Sequence, residues 1–364
     1  MPLIGQWLGS MIVYLFYLFG IISSIYLFYI SKISVNKIDL PFMIFIILAL
    51  FSSIYSVSGN LTTELFFLPL LVFLYLGAKG IIKNDNLSYL VYGIIFVFLI
   101  FSIYLLFQLP NVSFNYAAYY HYSNASNKVE YLTMSMYASI ILIYAIFVIK
   151  NKYIRYPIII YTFFLITISG ARFSIFFLAV LLFSLFMYNL KSLKFIIFII
   201  LLFLLFIFNL DFILSLDYIK DISKFFDFAI NRLSHFDSNN ASLQGRFYAI
   251  ENSLIAINDS VVFGYGLHCS PDIIKFVYPH NMFLEVWLDS GIFGFISLLL
   301  LSASTFYCIY QIPKNDKNLF LMFSFFYLFL SQLKSFSIYH SPLYFVFISF
   351  IFTVYIKNKE ELNE

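Results

Sequence analysis

Long apolar runs recur along the whole chain and constrain its fold more than any other feature of the sequence. Residues 3–30 and 195–208 carry no charged side chain, and only 11% of all 364 residues are charged. A helix that crosses a bilayer needs about 20 mainly apolar residues. A membrane barrel would instead alternate apolar and polar residues over segments of about ten, and these runs do not alternate. The sequence therefore predicts an all-α, polytopic helical integral membrane protein.

The basic residues indicate how the spans are oriented. About 11 spans (10–12) are predicted, near 8–30, 41–58, 65–82, 88–109, 131–149, 156–170, 173–190, 195–210, 281–310, 318–334 and 341–356. With a break at Ser169-Gly170, 13 of the 21 Lys and Arg residues, including Lys79 and Lys83, fall on one side. That side is cytoplasmic by the positive-inside rule. The N-terminus is then outside and the C-terminus inside.

One polar segment on the outer side is large enough to fold by itself. It covers residues 211–280 and is predicted to form a periplasmic loop within a single transmembrane domain spanning 1–364. Phe247, Ile250, Leu254 and Ile257 recur there at helical spacing. An amphipathic helix of this kind lies in the membrane interface with its apolar side towards the lipid. Membrane lipids are therefore expected partners of the loop.

Two arginines lie on the side that is poor in positive charge. Arg246 is predicted to open the second amphipathic helix of the loop, and Arg172 follows the turn at Ser169-Gly170. A guanidinium group matches the oxygens of a phosphate and stays charged in any environment, so both are candidates to bind a lipid-linked diphosphate. Alternatively, Arg246 reaches ordinary phospholipid head groups, and Arg172 pairs with a carboxylate of the loop.

The span at 281–310 begins with polar residues. His280 can exchange protons near neutral pH; in the alternative interpretation, Asn281 caps the helix and His280 has no role. Glu285 and Asp289 are four residues apart and share one helix face, where two negative charges repel. Either one of them is protonated, or a cation such as Arg172 or Arg246 comes to meet them.

Several classes of site are not indicated. His268, Cys269 and His280 do not stand at metal-ligand spacing, so no metal is expected. Gly264-Tyr265-Gly266 is typical of a turn and is too short for a phosphate loop, and no cofactor is predicted. The net charge of +3 follows from topology and does not indicate nucleic acid.

Three fragments resemble the O-antigen polymerase and O-antigen ligase superfamily of bacterial envelope enzymes. They are ISGARFSIFFLAV, then GRFYAIENSLIAINDSVVFGYGLH, then PHNMFLEVWLDSGIFGF. In that family an Arg-led amphipathic helix, a Gly-x-Gly turn, a His-Asn pair and an acidic-x-Gly helix follow one another in this order. The resemblance covers about residues 169–296.

The resemblance implies glycosyl transfer from an undecaprenyl-diphosphate-linked oligosaccharide, without a metal or a nucleotide sugar. Arg172 and Arg246 would hold the diphosphate leaving group, and His280 would be the base for the acceptor hydroxyl. Glu285 and Asp289 would orient these groups, and Asn281 and Glu251 are also assigned to substrate binding. The enzyme would lie in the inner membrane with its active site facing the periplasm.

The two branches of the superfamily differ in the acceptor. A polymerase extends another lipid-linked repeat unit, whereas a ligase transfers the polymer to the lipid A core. The AT-rich composition favours the polymerase, for which a chain-length regulator is an expected partner. A flippase is the alternative from another class, but a transporter would show internal repeats and polar residues near mid-bilayer.

Overall fold

The computed structural model describes residues 21–23, 25–26, 29, 31, 35–58, 61–84, 87, 95, 131–168, 171–188 and 241–362. These residues form helices and turns, with no strand among them, as the sequence predicts. The predicted spans near 88–109 and 195–210, most of the span near 8–30, and loop residues 211–240 lie outside the described residues. The total span count and the periplasmic side of the loop stay predictions.

The described helices follow the predicted spans closely. They are α1 (Leu40–Ser52), α2 (Thr62–Lys83), α3 (Tyr131–Phe147), α4 (Lys152–Ile168), α5 (Arg172–Tyr188), α6 (Ala241–Asp259), α7 (Ser270–Ile273), α8 (Met282–Gln311), α9 (Asp316–Gln332) and α10 (Pro342–Glu361). The break predicted at Ser169-Gly170 is confirmed, because one helix ends just before it and the next begins just after it. Within the described residues, Lys37–Tyr55 and Met282–Gln311 are long and apolar enough to cross a membrane.

The chain divides into two compact units. The first contains α3, α4 and α5 within residues 94–236. Its interior is apolar, with Leu142, Tyr144 and Leu181 almost fully buried. A hydrogen bond of 3.1 Å between the hydroxyls of Ser174 and Ser135 links α5 to α3.

The second unit contains α1, α2 and α6–α10, and its core is rich in aromatic rings. Helix α2 packs against α10, and α1 packs against α8. Phe42 stacks on Tyr75 with the ring centroids 3.9 Å apart, and Phe345 packs against the same Phe42. Aromatic pairs of this kind stabilise a core beyond their simple burial.

A buried ion pair crosses this core. Asp39, just before α1, pairs with Lys79 of α2, and their side chains are 0% and 3% exposed. Tyr75 also donates to Asp39, at 2.6 Å. The sequence analysis placed Lys79 on the cytoplasmic side but did not predict this pair, because charge counting cannot recognise a partner 40 residues away. The side of the membrane on which Lys79 lies stays a prediction.

Helix α8 is too long to be a simple span. Its 30 residues measure about 45 Å, against about 30 Å for the hydrocarbon core. Gly291 interrupts it with non-helical angles, φ 66° and ψ −164°. Residues 292–311 alone match the thickness of the core, at about 30 Å. A span over residues 292–311 would leave residues 282–290, which include Glu285 and Asp289, outside the hydrocarbon core.

Candidate functional site

A turn of the long loop fills the break in α8. The interruption at Gly291 leaves the carbonyl groups of Leu288 and Asp289 without helical donors. Tyr265 N donates to Leu288 O at 2.8 Å, and Gly266 N donates to Asp289 O at 2.9 Å. The turn predicted at Gly264-Tyr265-Gly266 is thus confirmed, and it connects the loop to residues 282–290 of α8.

Two glycines make this junction possible. A Cβ atom on Gly291 would lie 1.9 Å from Val262 O, and one on Gly266 would lie 2.2 Å from the Cα of Ser56. Both residues also have a positive φ, of 66° and 92°, which side chains rarely tolerate. Only glycine therefore allows the loop, the end of α1 and the broken helix to approach this closely.

Helix α6 carries Arg246 and packs beside α8. It begins at Ala241, so Arg246 lies in its second turn and does not open the helix as predicted. The predicted apolar face is also divided: Ile257 is buried, but Phe247 and Leu254 are 63% and 52% exposed. The side that packs on the protein is formed by small residues, Ala249, Ser253 and Ala256, together with Ile257.

His280 lies just before α8 in an apolar pocket. It is 8% exposed, and the rings of Tyr278 and Phe276 pack edge-on at 4.5 Å and 5.6 Å between centroids. Its Nδ1 has no hydrogen-bond partner among the described residues. Burial, and secondly the positive charge of Arg246, lower the pKa of His280 to about 4. Arg246 is thus near enough for its charge to act on His280, and the imidazole is neutral at pH 7.

Asn281 has the capping role that the sequence analysis offered as an alternative. Its side-chain Oδ1 accepts hydrogen bonds from Phe283 N at 2.9 Å and Leu284 N at 3.3 Å. These are two of the amide groups that the first turn of a helix leaves without partners. Its assignment to substrate binding stays a prediction.

Both carboxylates of α8 are buried and accept hydrogen bonds from other segments. Glu285 is 5% exposed and accepts from Ser337 Oγ at 2.5 Å and from Ile338 N at 2.9 Å. Asp289 is 1% exposed and accepts from the amide and thiol groups of Cys269. These partners were not predicted, because they lie 20 to 53 residues away in the sequence.

The Cys269 thiol is held in an unreactive state. It is fully buried, and burial, then the negative charge of Asp289, raise its pKa far above the ordinary range. A neutral thiol is a poor nucleophile and a poor metal ligand. Within the described residues, no three His, Cys, Asp or Glu side chains are placed to hold a metal ion.

Glu251 and Arg172 are the remaining predicted residues. Glu251 is exposed on α6. Arg172 is the first residue of α5 and belongs to the other compact unit. Its role stays a prediction, as does the meeting of an arginine with Glu285 or Asp289.

The site thus combines a broken apolar helix with an arginine, a buried histidine and two buried carboxylates. Residues 157–299 match the family model described as O-antigen ligase. This segment of the chain is thus similar to the O-antigen ligase and polymerase superfamily, and every predicted site residue lies inside it. The match does not distinguish the two branches.

A relative from Haemophilus influenzae, described as an uncharacterized protein, is 33% identical over 98 residues. The alignment covers 23% of this chain and 24% of the relative. The chain thus matches only about a quarter of that protein's length. The family match and the apolar helices together support a membrane protein.

Proposed function

We propose that this protein polymerises undecaprenyl-diphosphate-linked oligosaccharide repeat units on the outer face of the cytoplasmic membrane. The observation that carries the proposal is a buried, neutral His280 just before α8, close enough to Arg246 to be influenced by its charge. A fixed cation and a neutral imidazole are the groups needed to receive a departing diphosphate and an acceptor proton. O-antigen or a related surface polysaccharide is the product.

In the reaction, the bond between the anomeric carbon and the diphosphate oxygen of the donor breaks. The acceptor hydroxyl forms the new glycosidic bond and transfers its proton to His280. Undecaprenyl diphosphate leaves with the electron pair of the broken bond. Arg246, with Arg172 as the second predicted cation, offsets the negative charge that develops on the leaving group.

The low pKa of His280 has a consequence for the order of binding. A base of pKa about 4 is fully available at pH 7 but accepts protons weakly. An anionic diphosphate beside Arg246 offsets the positive charge that helps to lower that pKa. Donor binding therefore makes His280 a stronger base, so that proton transfer from the acceptor follows donor binding.

The carboxylates hold the site in place. Glu285 holds the turn between α9 and α10, and Asp289 holds the segment at Cys269. Both interactions fix the start of α8, where His280 lies.

A chain-length regulator as a partner in the membrane belongs to the same proposal.

Ligation is the second candidate, because the matching family model is described as O-antigen ligase. The chemistry at Arg246 and His280 would be the same, and the acceptor would be the sugar of the lipid A core. No metal or other cofactor is required in either case.

The lipopolysaccharide pattern of a deletion strain on a denaturing gel separates the candidates. A ladder that collapses to the core plus one repeat unit supports polymerisation. Loss of every band above the core, with long polymer on the lipid carrier, supports ligation. An unchanged ladder, with capsule also unchanged, would contradict both.

A further inference from the structure

The turn between α6 and the Gly264-Gly266 segment exposes a patch of apolar side chains. Val261, Val262 and Phe263 are consecutive, and they are 40%, 46% and 62% exposed. No charged residue separates them. We define these three residues as the apolar tip.

The apolar tip lies at the outer end of two membrane-type helices. Ile292 N, the first residue after the break in α8, donates to Val261 O at 2.9 Å. Tyr55, at the end of the apolar segment Lys37–Tyr55, donates its hydroxyl to Phe263 O at 2.6 Å. Because residues 292–311 are about as long as the hydrocarbon core is thick, Gly291 and the apolar tip stand at its outer boundary.

The exposed surface around the tip is continuous with the outward faces of these helices. Ile54 beside Tyr55 is 78% exposed, and Phe293, two residues after Gly291, is 54% exposed. Exposed residues of this size on spanning helices face lipid. The tip therefore extends an existing lipid-facing surface.

Several carbonyl groups of the turn accept hydrogen bonds inside the protein. Val261 O also accepts from Trp287 Nε1 at 3.1 Å, and Gly264 O accepts from Ser260 Oγ at 2.8 Å. Tyr265 O accepts from Val57 N at 3.1 Å. Lipid chains donate no hydrogen bonds, so a turn that enters them needs these internal donors, whereas a hydrated turn does not.

We propose that the apolar tip inserts into the outer leaflet and anchors α6 to the membrane surface. The occupant of this surface is bilayer lipid, at the level where the hydrocarbon meets the head groups. The anchor holds Arg246, on the same helix, at the membrane surface, where a lipid-linked diphosphate presents its charged groups. The inference rests on the membrane location in the proposed function, and it does not depend on the sugar chemistry.

The two native cysteines allow a direct test, because both are fully buried. A Phe263→Cys variant labelled with a nitroxide reports the local environment in lipid nanodiscs. Collision rates are measured with oxygen, which concentrates in hydrocarbon, and with a water-soluble nickel complex. Leu299→Cys on α8 (47% exposed) is the lipid-facing control, and Leu362→Cys (78% exposed) at the end of α10 is the aqueous control.

The expected result is an oxygen-to-nickel ratio at residue 263 several-fold above that of residue 362 and below that of residue 299. A ratio equal to that of residue 362 would overturn the inference, since the tip would then be in water. Low collision rates with both reagents would also overturn it, because another segment or protein would cover the tip. Val262→Cys provides a second labelling position. Neither measurement needs substrate, so the test can be interpreted even if the protein is not a polymerase.

Discussion

His280 is a buried polar residue that lies within reach of the charge of Arg246. Its backbone has a positive φ of 60°, an uncommon conformation for a non-glycine residue. Strained backbone of this kind is retained where the surrounding structure holds it, often at functional sites. The low pKa of His280 and its Nδ1 atom without a hydrogen-bond partner among the described residues also support a functional role.

A substitution of Arg246 tests whether its charge contributes to chain extension. Arg246→Gln removes the guanidinium charge beside His280, so chain extension should fall by at least about a hundredfold, the scale seen when one transition-state charge partner is removed. Polymer length per cell is measured on gels, with protein abundance checked by immunoblot. Lys275→Gln is the matched control, because Lys275 is an exposed cation of the same loop. Polymer of ordinary length in Arg246→Gln would show that this arginine does not bind the diphosphate.

The pH dependence of transfer tests His280. Its neutral form is the active one, so lowering the pH should leave kcat/KM constant until it falls near pH 4, well below the ordinary histidine value of 6.5. The acid-side fall of kcat should occur at a higher pH than that of kcat/KM, because the bound diphosphate offsets the positive charge of Arg246 and so raises the pKa of His280. His340→Gln, which changes an exposed histidine, should leave both limbs in place. A kcat/KM limb at pH 6.5 would contradict the assignment.

At the scale of elements, the junction at Gly291 connects α6, α1 and α8. Gly291→Ala should destabilise the protein by about 2 kcal/mol or more, because it combines a left-handed backbone with a side chain placed against Val262 O. The melting temperature in detergent measures the effect. Ser290→Ala, one residue earlier, removes only a buried hydroxyl and serves as the control. Equal melting temperatures for the two variants would mean that the junction is not required.

The ion pair between Asp39 and Lys79 joins α2 to the start of α1. Either Asp39→Asn or Lys79→Met leaves one buried charge without its partner and should cost about 3–5 kcal/mol. The double variant should cost less than the sum of the two, since no unpaired charge remains. Thermal unfolding of the wild type, the two single variants and the double variant gives the coupling energy between Asp39 and Lys79. Lys83→Met is the control, because Lys83 is an exposed lysine on the same helix. Strictly additive effects would show that the pair is not coupled.

At the scale of the whole molecule, hydropathy was sufficient to place the described spans. Apolar runs and charge asymmetry located α1–α5 and α8–α10, and the break before Arg172. The same signal failed for α6, because hydropathy does not distinguish a residue that contacts lipid from one that contacts protein. Phe247 and Leu254 are exposed, whereas Ala249 and Ser253 are buried.

The sequence indicated which residues form the candidate site but not which residues they contact. Arg246 and His280 were selected for their chemistry, and in the structure the charge of Arg246 acts on His280; their roles stay predictions. The donors to Glu285 and Asp289 were not found, because serine and cysteine carry no periodic signal and lie far away in sequence. The kink at Gly291 was also missed, since a glycine inside an apolar run does not reveal which backbone approaches it.

The most direct test of the central claim uses the purified protein in lipid nanodiscs with undecaprenyl-diphosphate-linked repeat units. With a metal chelator present, we expect longer lipid-linked chains and one undecaprenyl diphosphate released per glycosidic bond formed. The His280→Gln protein should bind the donor but transfer far more slowly. Chain growth that requires an added metal ion, or that proceeds at the full rate without His280, would contradict it.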